Sequence, residues 1–192
     1  MSIRIYGNRE IKTLSGLATR PTPAKVRQAI FNIWQGEIGD CRWLDLCSGS
    51  GAMGAEALCR GAKMVVGIER SPQACDIVRE NWEKVASTSQ TVRVLRGDVV
   101  KKLANLQGEQ FDRIYFDPPY AGGLYTPVLT AIANYQLLAP TGEIAVEHSP
   151  DRAIGLLPEL TADSPLANWE ICREKVYGNT AITFYHIYRD RD

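Results

Sequence analysis

Leu44-Asp45-Leu46-Cys47-Ser48-Gly49-Ser50-Gly51 is the stretch whose reading decides the fold. An apolar run ends in a glycine-rich turn, and Ala52–Arg60 continues as a helix, so the stretch reads as a strand feeding a helix. The pattern repeats downstream. Met64–Glu69 reads as a second strand and Pro72–Val85 as a helix; Thr91–Leu95 is a third strand, followed by a short helix near Val99–Leu106. Phe111–Phe116 and Glu143–Glu147 give a fourth and a fifth strand. Short apolar runs alternating with amphipathic segments are the signature of βα units and a largely parallel sheet. Two late runs, Trp169–Val176 and Ala181–Tyr188, flank Tyr177-Gly178-Asn179 and read as an antiparallel hairpin closing the sheet edge.

Before Gly39 the pattern differs. Ile3–Tyr6 and Ile11–Leu14 form a candidate hairpin around Gly7-Asn8. Thr22 reads as an N-cap with Pro23 at the first helical position, opening a helix to about Gln35. Ala29, Ile30, Ile33 and Trp34 would supply its apolar face. The 192 residues suit one globular domain with a small N-terminal extension, divided here as 1–38 and 39–192.

Composition narrows the function classes. No apolar run approaches the ~20 residues that span a bilayer, and no secretory leader is evident at the N-terminus. The expected location is cytoplasmic, with no membrane partner. Five cysteines without a CxxC pairing read as reduced thiols, and no metal site is expected. The 22 basic and 22 acidic residues cancel, which excludes a chain coated in positive charge. Residues 1–27 nonetheless hold Arg4, Arg9, Lys12, Arg20, Lys25 and Arg27 against the single acid Glu10. Such a local excess suits phosphates or a plain solvated face.

Gly49, Gly51 and Gly54 satisfy GxGxxG, so a dinucleotide site must be weighed. Asp45 at the strand end suits a cationic ligand better than a pyrophosphate. S-adenosylmethionine brings an ammonium and a sulfonium and no phosphate. Glu69 ends the second strand, where a carboxylate can accept ribose hydroxyls, and Gly97-Asp98 ends the third, where an acid can bind an adenine amine. Asp117-Pro118-Pro119-Tyr120 follows the fourth strand. Its prolines fix φ and lack N–H groups, leaving a rigid, acceptor-rich notch. Asp117 and the Pro118 carbonyl can accept both hydrogens of a planar amine while Tyr120 stacks on the ring. His148, His186, Cys47, Asp112 and Glu147 read as structural. Tyr125 lines a site mouth or begins a helix. The segment 149–167, with three prolines, reads as a surface excursion.

The set Asp45–Gly51, Glu69, Asp98 and Asp117–Tyr120 resembles the class I S-adenosylmethionine-dependent methyltransferases that act on exocyclic amines. Arg20–Asn32, Ile3–Gly7 and Tyr177–Thr180 resemble corresponding segments of the RsmD-type 16S rRNA guanine-N2 methyltransferases. The resemblance implies an α/β class I methyltransferase Rossmann-like fold: a mostly parallel seven-stranded sheet, helices on both faces, an antiparallel last strand, and a small hairpin-helix extension. It implies methyl transfer from S-adenosyl-L-methionine to a guanine N2 amine of small-subunit rRNA, free or in an assembling particle, by a monomer. Catalysis would fall to Asp117, Pro118, Pro119 and Tyr120. Cofactor binding would fall to Asp45, Ser48, Gly49, Gly51, Glu69 and Asp98, with Arg20 and Thr22 near the methionine carboxylate. Arg4, Arg9, Lys12, Lys25 and Arg27 would contact RNA. Asn8–Leu14 is less basic than is usual in that family, so a DNA amine (N6-adenine-type) methyltransferase stays open. So do a protein glutamine-amide methyltransferase and a non-enzymatic RNA-docking subunit.

Overall fold

Half-apolar strands and amphipathic helices can bury their apolar faces only against one another, which builds a layered sheet-and-helix fold. In the computed structural model, which describes residues 1–14, 23–119, 123–151 and 164–188, the chain divides into two compact units, Met1–Val99 and Val100–Asp192.

The first unit opens with strands β1 (Ser2–Ile5) and β2 (Arg9–Lys12), which pair antiparallel. A single 3-10 turn, Tyr6–Asn8, joins them, with Gly7 at φ 70° and Asn8 at φ 58°. Helix α1 (Ala24–Ile33) follows, then β3 (Arg42–Leu46), α2 (Ala52–Cys59), β4 (Met64–Glu69), α3 (Pro72–Val85) and β5 (Thr91–Arg96). β3 pairs with β4, and β4 with β5, all parallel. Trp43 centres the core, stacked on Phe31 at 5.2 Å and edge-on to Trp34 at 5.5 Å.

Helix α4 (Val99–Leu103) leads into β6 (Phe111–Phe116), α5 (Tyr125–Asn134), β7 (Leu138–His148), β8 (Trp169–Tyr177) and β9 (Thr180–Ile187). β6 and β7 run parallel, and β9 is antiparallel to both β7 and β8. Seven strands form one sheet in the order β5-β4-β3-β6-β7-β9-β8. The expected mostly parallel sheet with an antiparallel last strand is therefore observed. The late hairpin closes through Tyr177 opposite Thr180, with Gly178 at φ 63° in the turn.

Three local expectations are corrected. Helix α1 begins at Ala24, and Pro23 takes the capping position rather than the first helical one, with ψ 138°; Thr22 lies outside the described residues. The buried face of α1 is Val26, Arg27, Ile30 and Phe31, continued by Trp34, while Ala29 and Ile33 are half-buried. Phe31 turns inward because it stacks on Trp43. Strand β7 begins at Leu138, not Glu143, because Leu138 pairs with Phe111 before the register jumps to Glu143 opposite Arg113. Pro140 and Gly142 in the jump hide the strand from a period-two reading. Gly142 is required there, since a Cβ would lie 2.8 Å from Leu138 Cδ1 and 2.9 Å from the Phe111 carbonyl oxygen. Of the two readings of Tyr125, the helix start is observed: its ring is buried, packs edge-on against Phe116, and its hydroxyl donates to the Glu147 carbonyl at 3.2 Å. Pro127 sits in the first turn of α5, where no intrahelical N–H is missed.

Candidate active site

The glycine turn after β3 is held by side chains from three elements. Helix α2 starts from Gly51 in the left-handed region, at φ 72°, and no local side chain caps it. Asp45 does so from β3: its Oδ2 accepts from the Gly54 N–H at 3.0 Å. A carboxylate on a helix N-terminus satisfies an orphan donor and complements the helix dipole. Burial works the other way and pushes the Asp45 carboxyl up to about 8; the Gly54 hydrogen bond opposes the rise, and the charge of Glu69 adds to it. Asp45 is thus a brace within the protein, only 2% exposed. From β4, Glu69 accepts from Gly49 N–H at 2.9 Å through Oε2 and from Ser71 N–H at 2.8 Å through Oε1. Ser48 closes the turn by donating its hydroxyl to the Asp45 carbonyl at 2.8 Å.

Two neighbours in α3 complete the turn, and neither is signalled by a nucleotide motif. Trp82 donates its indole N–H to the Gly51 carbonyl at 2.7 Å. Its ring fills a slot walled by glycines: a Cβ on Gly54 would lie 2.3 Å from Trp82 Cζ2, and one on Gly67 2.5 Å from Cη2. Gly51 thus serves ring packing as well as turn conformation, and Gly54, inside α2, serves ring packing alone. Asn81 donates to the Ser50 carbonyl at 2.8 Å. One signal for Asn81 is present in the sequence: a polar residue falls in the buried stripe Ala74, Cys75, Val78, Trp82, Val85. Asn in a helix interior is unfavourable unless its amide has a specific partner.

Toward the outside of this unit, a Cβ on Gly49 would meet nothing within 4 Å, so the turn has an open face there. Glu69 is half-buried and Asp98 exposed, at the carboxyl ends of β4 and just past β5. These are the edges of parallel strands at which open α/β sheets bind ligands. A half-buried carboxylate, an exposed acid and an open glycine turn could hold an adenosine-bearing, cationic ligand.

Of the five basic residues expected to face RNA, Arg27 is corrected. It is 3% exposed, its Nε lies 2.5 Å from Glu56 Oε2, and its Nη2 donates to the Arg4 carbonyl at 2.7 Å. Glu56, itself 2% exposed, also accepts from Arg60 at 2.9 Å. A charge so buried needs an opposite charge beside it, and here the chain supplies one. Arg60 in turn lies over the ring of Tyr6, at 4.3 Å from its centroid. Arg9 donates to the Val85 carbonyl at 2.9 Å, and Lys12 pairs with Glu80. Arg4, Arg9, Lys12 and Lys25 are all exposed. Arg20 and Thr22 lie outside the described residues.

In the second unit, β6 ends at Phe116 and delivers Asp117, half-buried, then Pro118, buried, then Pro119, exposed. Tyr120 lies outside the described residues. Below them, Tyr115 donates its hydroxyl to Glu147 Oε2, so the acid of β7 has a partner inside the protein, as its structural reading expects. His148 Nε2 meets Thr183 Oγ1 at 2.9 Å, again a structural role. Glu143, Cys172 and His186 bring donor atoms within 4.8 Å of one another. Glu170 already holds His186 at 2.5 Å, and the Arg173 guanidinium lies 3.9 Å from Glu143. Burial pushes the Cys172 thiol up to about 11. Among the described residues no helix is long and apolar enough to cross a membrane.

Residues 3–186 match the family described as Conserved hypothetical protein 95. The chain belongs to this family. A Bacillus subtilis relative, provisionally named rRNA methyltransferase YlbH, is 35% identical over 92% of each chain. The Escherichia coli protein named ribosomal RNA small subunit methyltransferase D is 29% identical over 95% of this chain and 89% of its own. A solved Escherichia coli structure, provisionally named methyltransferase yhhF, superposes with a TM-score of 0.83 at 30% identity, covering 98% of this chain and 99% of that one. An RNA methyltransferase from Salinibacter ruber, solved with S-adenosyl-L-homocysteine, shares the fold at a TM-score of 0.63 and 15% identity, over 90% and 97% of the two chains. The class I methyltransferase fold and the resemblance to the RsmD-type family, both expected from the sequence, are borne out.

Proposed function

We propose that this chain transfers a methyl group from S-adenosyl-L-methionine to the exocyclic N2 amine of a guanine in 16S rRNA. The observation that carries the reading is the Asp117-Pro118-Pro119 corner at the carboxyl end of β6, in a chain whose relatives are named rRNA methyltransferases. The cofactor supplies an electrophilic methyl on a sulfonium. Everything else falls to the chain. The Asp117 carboxylate and the Pro118 carbonyl accept the two amine hydrogens, which fixes the direction of the nitrogen lone pair. They also build electron density on a nitrogen that is otherwise delocalised into the ring. Alignment and electrostatics of this kind account for most of the rate gain expected of such a site. After transfer, a proton leaves the nitrogen for an Asp117 carboxylate oxygen. Tyr120 stacks on a base drawn out of its surroundings, as chemistry on bases requires.

On the donor side, Glu69 holds the ribose hydroxyls, Asp98 the adenine amine, and Ser48, Gly49 and Gly51 shape the turn. Asp45, braced on Gly54, favours the cofactor ammonium when ionised. Arg20 and Thr22 meet the methionine carboxylate. Arg4, Arg9, Lys12 and Lys25 contact phosphate on the face of residues 1–38, an extension serving a catalytic domain of residues 39–192. The protein acts as a cytoplasmic monomer on free rRNA or an assembling subunit.

The test is mass spectrometry of rRNA nucleosides from a strain lacking this chain, with tritium transfer to naked 16S rRNA, small subunits, DNA and protein. Loss of N2-methylguanosine and label in RNA are the expected results. An unchanged N2-methylguanosine level overturns the guanine assignment, and label in DNA or protein replaces it with a different amine.

A further inference from the structure

Asn81 is buried in α3, 1% exposed, and makes three side-chain hydrogen bonds. Its Oδ1 accepts from the Lys12 N–H at 2.8 Å, and its Nδ2 donates to the Lys12 carbonyl at 2.8 Å. The amide therefore reads the backbone of β2 as a neighbouring strand would, whatever side chain Lys12 carries. Nδ2 also donates to the Ser50 carbonyl at 2.8 Å, in the glycine turn. A primary amide has two N–H donors and one carbonyl, so a single group ties the N-terminal hairpin to the turn. Other contacts of the hairpin end elsewhere: Arg9 on Val85, Lys84 on the Glu10 carbonyl, Arg27 on the Arg4 carbonyl.

We propose that Asn81 is a positioning residue that couples occupancy of the glycine turn to seating of the β1–β2 hairpin. The proposal rests on the function put forward above. A ligand that fixes the Ser50 carbonyl fixes the Asn81 amide, and the amide fixes Lys12. A seated hairpin conversely holds the turn in its binding form. Linkage makes the effect reciprocal: the hairpin tightens cofactor binding by the factor by which cofactor tightens the hairpin. The cofactor-loaded protein thus presents an ordered basic edge to RNA, and RNA that seats this edge tightens the cofactor in turn.

The experiment uses the full chain with S-adenosylhomocysteine as the probe. Calorimetry gives its affinity, and amide hydrogen exchange is followed at Ile11–Thr13 with and without it. In the wild type the ligand slows exchange there by about fivefold. In Asn81→Ala the slowing falls below about twofold and affinity weakens about fivefold, while β3 and β4 exchange as before. A merely structural Asn81 would speed exchange equally in both states and leave the ligand-dependent slowing intact; that result overturns the proposal. Asn81→Asp, which keeps the acceptor and removes both donors, is expected to behave like the alanine variant. Should neither variant fold, the wild-type Asn81 side-chain amide resonances decide: they shift and exchange more slowly at ligand saturation, and insensitivity overturns the proposal. Failure of the wild type to bind the probe overturns the cofactor assignment itself. Binding without coupling overturns only the role of Asn81.

Discussion

In the first unit, the turn Cys47–Gly51 is held by Asp45, Glu69, Asn81 and Trp82, side chains drawn from β3, β4 and α3. In the second, the corner after β6 is three consecutive residues, Asp117, Pro118 and Pro119, two of them with φ fixed by a proline ring. Long-range hydrogen bonds and packing hold the turn, whereas proline rings fix φ at two of the three corner positions. A substitution far from the glycine turn can therefore disturb it, whereas at the corner the largest effects are expected from its own residues.

The sharpest break is Asp117→Ala. Methyl transfer to RNA should fall by about a thousandfold or more, the scale of losing alignment and electrostatic stabilisation at the reacting atom. S-adenosylhomocysteine affinity, measured by calorimetry, should stay within about twofold. Comparable loss of cofactor affinity would end the separation between the two regions. Next comes Arg27→Met, which strips one partner from a buried acid. Urea unfolding should show about 3–5 kcal/mol lost, though Arg27 is remote in sequence from the glycine turn. Retained stability would mean that Arg60 suffices for Glu56.

Gly67→Ala tests the tryptophan slot. Its Cβ would meet the Trp82 ring at 2.5 Å and Ser48 Oγ at 2.8 Å, so a loss of about 1–3 kcal/mol is expected, with weakened cofactor binding. Asp45 supplies a pH test. Its folded-state carboxyl is raised from 3.8 to about 8, so its contribution to stability is full below pH 3.8 and is lost as pH rises toward 8. A cationic ligand prefers the ionised form, so cofactor affinity should run the opposite way, weakening roughly tenfold from about pH 8.5 to about pH 7. Asp45→Asn should flatten that profile; an unchanged slope would assign it to another group. Lys12→Ala gives the smallest effect on stability, under about 1 kcal/mol, because its pair with Glu80 is exposed on both sides.

Much of the fold was legible because period and punctuation are local. Met64–Glu69, Pro72–Val85 and Phe111–Phe116 carry their observed bounds in the residue pattern, and Gly178-Asn179 marks the late hairpin. The start of β7 is hidden by Pro140 and Gly142, which break a strand pattern in sequence yet sit in a register jump in space. Arg27 misleads for a related reason: a basic residue in a basic stretch looks solvated until Glu56 is found beside it. Asn81 stands out as a polar residue in an apolar stripe, but its partners, at positions 12 and 50, lie far off in the chain.

By itself the sequence determined the succession of strands and helices, the glycine turn and the Asp117-Pro118-Pro119 corner, because backbone preference, side-chain period and proline geometry act over a few residues. Tertiary structure alone decided that Asp45 braces a helix, that Trp82 dictates Gly51, Gly54 and Gly67, that Arg27 is buried, and that Asn81 joins the hairpin to the turn. Those facts depend on which distant groups meet where water is excluded, and an unpaired polar group costs most there.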